Sequence, residues 1–390
     1  MSRVYLDHNA TTPLRPAARA AVLAAMDGVG AASSVHGEGR TVRRLLEQAR
    51  AQVAALVGGG DAQVIFTSGA TEANNTVLTP GWQRGADRRP LDRLLTSTIE
   101  HACVRRGDRF PVGTVDRIAV DGDGRVDAVA WAETVAAFAA AGHRPLSSIM
   151  LANNETGVIQ PVAEIAAVTR AAGGLTHSDA AQAAGKMPVS MSALGVDVLT
   201  LSSHKIGGPM GVGAIVLAND ALHLADRLIR GGGQERSFRA GTENVAAIAG
   251  FGAAAAELAA TIDEETRRIR ALRDRLEAVL TAIPGVTLFG ARVERLPNTV
   301  NLAIDGVPAE TALIALDLDG IAVSSGAACS SGKVASSHVL AAMGVPDAVA
   351  RTALRISLGW STSEADVARA EAGFSRVVST LRNRMKERAA

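Results

Sequence analysis

Val198-Leu199-Thr200-Leu201-Ser202-Ser203-His204-Lys205-Ile206-Gly207-Gly208-Pro209 reads as a short strand that runs out into polar residues, a lysine and then a glycine pair. Four other stretches repeat the first half of that pattern. Gln63–Thr67 runs into Ser68-Gly69-Ala70-Thr71-Glu72, which opens a helix; Leu94–Thr98 leads to Glu100-His101. Ser148–Ala152 ends at Asn153-Asn154-Glu155-Thr156-Gly157, and Leu175–Ser178 ends at Asp179-Ala180-Ala181-Gln182. Alanine-rich helical stretches alternate with these runs, which is the pattern of an α/β fold. Ligands of open α/β sheets bind beyond the carboxyl ends of the strands. A mostly parallel sheet would therefore bring all five polar termini to one crevice.

The chain has 390 residues, enough for two or three domains of usual size. Hydrophobic residues make up 47% and charged residues 20%, a globular composition, and the net charge of +1 offers no global field toward nucleic acid or anionic lipid. The cationic runs Arg267-Arg268-Ile269-Arg270 and Arg382–Arg388 read as solvated helix faces. The opening Met1-Ser2-Arg3-Val4-Tyr5-Leu6-Asp7 has no apolar export core, and no charge-free stretch of membrane-spanning length is found. Two cysteines make neither a disulfide framework nor a CxxC metal pair, which fits a reducing cytoplasm and no metal site. Asp121-Gly122-Asp123-Gly124 lacks calcium ligands at key positions and reads as a hairpin turn. The charged helical stretch from Asp263 to Glu277 and the Pro284-Gly285 turn place a boundary near residue 260. The expected division is a large domain over 15–260 and a smaller α+β domain over 261–390, with residues 1–14 packed against the latter.

Several of these residues have chemistry to offer, each beside a plainer reading. A lysine held near apolar strand ends can have a lowered pKa and attack an aldehyde as a free amine; a loop lysine is otherwise surface. Asp179 can keep a pyridine nitrogen protonated or serve as an Asx cap, and Gln182 is spaced to reach an adjacent ring oxygen. The helix start at Ser68–Glu72 can hold a phosphate on its free N–H groups or simply be capped; it is not a Walker loop. His101 can stack on a ring and move a proton, or be a satisfied polar residue. Cys329, in Ser324-Ser325-Gly326-Ala327-Ala328-Cys329-Ser330-Ser331-Gly332-Lys333, sits in a small-residue loop of high expected flexibility, with Lys333 and His338 nearby, where reactive thiols are found. Cys103 reads as a buried small hydrophobe. Arg355, within an alternating strand, can grip a carboxylate bidentately or be structural.

Taken together, the segments from Tyr5-Leu6-Asp7-His8-Asn9-Ala10-Thr11-Thr12-Pro13 to Arg355-Ile356-Ser357-Leu358-Gly359 resemble the cysteine desulfurases of the NifS/IscS type, pyridoxal 5'-phosphate (PLP) enzymes of the class V aminotransferase family. The resemblance implies the type I PLP fold of the aspartate-aminotransferase kind, with a mostly parallel seven-stranded sheet in the large domain. It implies Lys205 as the cofactor lysine, Asp179 on the ring nitrogen, Gln182 on the ring oxygen and His101 as stacking acid/base. Ala70, Thr71, Ser202 and His204 match the phosphate cradle, and Thr242 matches a phosphate contact made across a homodimer interface. Asn153 and Arg355 match the clamp on the substrate carboxylate, and Cys329 the residue that receives sulfur as a persulfide. The implied reaction turns L-cysteine into L-alanine and passes sulfur to an acceptor protein such as an iron–sulfur scaffold. Two stretches depart from the family's pattern: Ala32 stands in the turn Gly30–His36, and Lys333-Val334-Ala335-Ser336-Ser337-His338 follows the cysteine. Selenocysteine lyase, aminotransferase and a non-catalytic scaffold are the alternatives; a regulator would carry a DNA-reading module or have lost its lysine.

Overall fold

The structure, a computed structural model, describes residues 3–60, 62–325 and 336–389. Its centre is a seven-stranded sheet in the order Gln63–Thr67, Gly213–Leu217, Val198–Ser202, Leu175–Asp179, Pro145–Met150, Arg93–Ser97 and Val115–Ile118. Four of the six pairings are parallel; Gly213–Leu217 runs against both of its neighbours. The five strands expected from the sequence consequently all point the same way, and their carboxyl ends share one edge. Two of them were placed to the residue, Gln63–Thr67 and Val198–Ser202. The third strand begins at Pro145 rather than Ser148, because its fully buried length includes Pro145–Ser147.

A Cβ on Gly213 would lie 2.6 Å from the carbonyl carbon of Gly69 and 2.7 Å from the carbonyl oxygen of Leu201. Only glycine lets the reversed strand approach the Ser68–Thr71 turn this closely. The central strands also carry a buried polar row. His177, fully buried, meets Ser148 Oγ at 2.9 Å through Nδ1 and Thr200 Oγ1 at 3.1 Å through Nε2, and burial lowers its pKa to about 3. Neutral and doubly hydrogen-bonded, it costs little to bury.

Helices cover the sheet. Gly37–Leu56 buries Val42, Leu46, Ala49, Val53 and Ala54 on one face, as a 3.6-residue period requires, and His36 caps its start by accepting from the Gly39 N–H. It packs, with Pro16–Met26, along the helix Val245–Thr281. That helix contains a stretch long and apolar enough to cross a bilayer, but Ile248, Phe251, Ala254, Ala255 and Leu258 are buried in the core shared with the sheet. From Ile269 onward its buried residues belong to a second core. There an antiparallel sheet orders Val286–Phe289, Thr299–Ile304 and Ala353–Ser357 beneath the helices Ala309–Leu318 and Glu364–Ala389. The chain's first strand, Val4–Tyr5, joins this second core by pairing in parallel with Ile321–Ala322. Asp121–Arg125 forms the expected hairpin turn, with Asp121 Oδ1 accepting from the Asp123 and Arg125 amides.

Candidate active site

The shared strand edge opens on a cavity of about 720 Å³. Into its wall the strand termini deliver Ala70, Thr71, His101, Asp179, Gln182, Ser202, His204 and Lys205, and Arg355 reaches it from the antiparallel sheet. Residues separated by up to 285 positions are thereby brought within one ligand's span. The helix Ala70–Val77 begins at the cavity, and no side chain among the described residues caps it, so its first turn keeps unspent N–H character and a favourable dipole for an anion.

Lys205 follows Val198–Ser202 in a short 3-10 turn, Ser203–Lys205. Its Nζ donates to the carbonyls of Asn9 and Ala10, the latter at 2.8 Å. Burial, and then the neighbouring Arg355 cation, bring its pKa down to about 8 against the pull of Asp7 and Asp179. His204 meets Thr11 Oγ1 at 3.1 Å, and burial with the nearby lysines lowers it to about 4. Asp179 ends its strand with Oδ2 accepting from Asn74 Nδ2 at 2.7 Å and Oδ1 accepting from the Ala181 N–H at 2.9 Å. Gln182 donates from Nε2 to the Asn9 carbonyl at 3.0 Å while its Oε1 accepts from the buried Lys186. That carbonyl can only accept, so the orientation of the Gln182 amide is fixed.

Arg355 is nearly buried; it donates to the Asn154 carbonyl at 2.9 Å and to Asp7 Oδ1 at 2.7 Å. Its Nε has no partner among the described residues, nor has the buried Oδ1 of Asn154 beside it. Asn153 is a correction. It is fully buried, absent from the cavity wall, and spent on its own turn, where Oδ1 accepts from the Glu155 and Thr156 amides at 2.8 and 3.0 Å. Asn154, one residue on, is the asparagine that lines the cavity. Cys103 is a second correction: instead of an inert core position it is half-buried in the cavity wall, hydrogen-bonded to His101 and Asn74. Thr242 is exposed and outside the cavity of this chain. Cys329 lies outside the described residues. The sequence reading also missed Asn9, Ala10 and Thr11, whose part is played largely by backbone carbonyls that leave no side-chain signature.

The family model for aminotransferase class-V matches residues 4–370. The chain belongs to the class-V aminotransferase family. Among class-V relatives, a cysteine desulfurase of Cereibacter sphaeroides is 43% identical over 389 residues, covering 98% of this chain and 97% of that one. An IscS-like cysteine desulfurase of Mycobacterium tuberculosis is 40% identical, with 93% of each chain covered. Of solved structures, the NifS-like protein from Rickettsia africae superposes with a TM-score of 0.84 at 35% identity, covering 97% of this chain and 99% of that one. The mixed sheet with a parallel centre is the class-V aminotransferase fold expected from the sequence.

Proposed function

We propose that the chain is a PLP-dependent cysteine desulfurase, converting L-cysteine to L-alanine and carrying the sulfur as a persulfide on Cys329. The observation that carries the reading is Lys205: a half-buried amine, its pKa brought down to about 8, in one cavity with Asp179, His101 and Arg355. The long relatives named cysteine desulfurase support the same activity, and a related structure at 27% identity is titled "SspA in complex with cysteine".

The donor set fits PLP. An amine for its aldehyde, a carboxylate for its ring nitrogen, a Gln182 amide for its ring oxygen and an uncapped helix start for its phosphate line one cavity. Lys205, Asp179, Gln182 and His101 would hold the ring, and Ala70, Thr71, Ser202 and His204 the phosphate, with Thr242 supplied by a second subunit of a homodimer. When bound, the cofactor supplies an electron sink for a carbanion at the substrate's α-carbon. Lys205 is the base that takes the Cα proton, a task that needs its amine neutral, and burial provides for that. Asp179, anchored by Asn74 and the Ala181 amide, stays aimed at the ring position it serves. Arg355 holds the substrate carboxylate through its guanidinium, whose buried Nε has no partner among the described residues, and Asn154 beside it would add a hydrogen bond donated from Nδ2, since its Oδ1 can only accept. The Cys329 thiolate forms an S–S bond with the substrate sulfur as the Cβ–S bond breaks, and alanine departs. The acceptor of that sulfur is a protein such as an iron–sulfur scaffold, and the setting is cytoplasmic.

Purified protein incubated with PLP, L-cysteine and a dithiol should release alanine and sulfide in equal amounts over many turnovers. Cys329→Ala should keep the cofactor spectrum and lose sulfide release. Pyruvate and ammonia in place of alanine would mean a lyase, and full turnover by the Cys329 variant would sink the persulfide step.

A further inference from the structure

Cys103 has no place in the reaction just described, yet its thiol touches the site's histidine. Cys103 Sγ lies 2.9 Å from His101 Nδ1 and accepts a hydrogen bond from Asn74 Nδ2 at 3.1 Å. The backbone N–H of Cys103 points to the same ring nitrogen at 3.3 Å. A backbone amide only donates, so Nδ1 must hold a lone pair and not a proton. Asn74 is oriented just as firmly. Its Oδ1 accepts from Thr200 Oγ1 at 2.6 Å, and its NH₂ group serves both Asp179 Oδ2, at 2.7 Å, and the sulfur. The sulfur receives from Asn74 on one side, which leaves its own hydrogen for Nδ1.

We propose that Cys103 is a positioning residue: its S–H donates to His101 Nδ1 and holds the imidazole in the tautomer protonated at Nε2, while Asn74 ties that choice to Asp179. The inference rests on the reading of His101 as the acid/base beside the cofactor ring. The thiol is kept protonated for this task, because burial and then the Asp179 charge push its pKa up to about 12. Of the titratable groups around His101, Asp179 draws its pKa up, Lys205 draws it down and His338 interacts with it from outside the cavity wall, while burial, the largest influence, lowers it. A donor on Nδ1 adds to the lowering, since it stabilises the neutral ring.

The test uses PLP-loaded protein labelled with ¹⁵N-histidine, with the His101 ring signals assigned by their loss in His101→Gln. Wild type should show an unprotonated Nδ1 and a protonated Nε2. Cys103→Ala should raise the ring's titration midpoint by about half to one pH unit, the equivalent of one hydrogen bond. Cys103→Ser, which keeps a donor, should stay near the wild-type midpoint and confirms that packing is intact. An unmoved midpoint in the alanine variant overturns the proposal, as does a serine variant that shifts as far as alanine. Undiminished turnover by His101→Gln would instead sink the role of His101 and leave the tautomer result standing, so the two failures are distinguishable.

Discussion

At the scale of the residue, the site is a set of groups whose freedom has been removed by particular partners. Lys205 is the clearest case. An ordinary lysine titrates near 10.4, so at neutral pH almost none of it is a free amine. With a pKa lowered to about 8, the neutral fraction grows as pH rises through 8 and is nearly complete by about 9. The rate at which apo protein takes up PLP, followed by absorbance, should climb through that window and level off; a climb still continuing near pH 10 would mean an unperturbed lysine. Asn153 and Asn154 separate by the same logic. Asn153→Ala strips two buried amides of their acceptor and should cost about 1–3 kcal/mol in urea unfolding. Asn154→Ala should leave that stability nearly unchanged and raise KM for L-cysteine roughly tenfold. If the effects fall the other way round, the assignment of the clamp to Asn154 is wrong.

At the scale of the element, a buried ion pair joins three pieces that the sequence keeps far apart. Arg50, on the helix Gly37–Leu56, meets Glu235 through two hydrogen bonds of 2.6 and 2.7 Å, and Glu235 also accepts from the Phe66 N–H at 2.7 Å. Glu235 is held with φ of 45°, in a run of three left-handed residues with Arg236 and Ser237. Breaking a buried pair strands a charge, so Glu235→Ala should destabilise by about 3–5 kcal/mol in chemical denaturation; a loss under 1 kcal/mol would mean that Arg50 finds other partners. Nothing in the local sequence announces this pair. The strands were legible because each ends in a change from apolar to polar residues, and Lys205, Asp179 and His101 were legible because they sit at that change. Leu175–Asp179 shows where the signal thins: Thr176, His177 and Ser178 are buried polar residues; His177 finds its partners on the two neighbouring strands, and Ser178 Oγ has none among the described residues. The Asn153/Asn154 choice was illegible, since which of two adjacent side chains faces the cavity depends on how the turn is folded. The polar side of Cys103 was hidden for a related reason, its partners being 2 and 29 positions away.

At the scale of the whole molecule, the amino-terminal segment sews the two cores together at the site. Asn9 is the central stitch. Its amide donates to Ser357 Oγ at 2.9 Å, its Nδ2 to Thr299 Oγ1 at 2.9 Å, and its Oδ1 accepts from Asn298 Nδ2 at 3.0 Å. Its carbonyl accepts from both Lys205 and Gln182. Asn9→Ala should therefore lose about 1–3 kcal/mol of stability and also release PLP faster, measured as the rate of cofactor loss to an aldehyde trap. A variant less stable but with an unchanged release rate would show that the carbonyl is held in place without the side chain.

The route of that stitch fixes an order of events during synthesis. Lys205 leaves the ribosome with its strand, but the carbonyls that receive it are held by Asn298, Thr299 and Ser357, which emerge up to 152 residues later. At cellular elongation rates of about 5–20 residues per second, the interval is on the order of ten to thirty seconds. A nascent chain that stops short of Ser357 thus displays the lysine without the walls that orient it, and only a polypeptide translated past that residue can close around a cofactor.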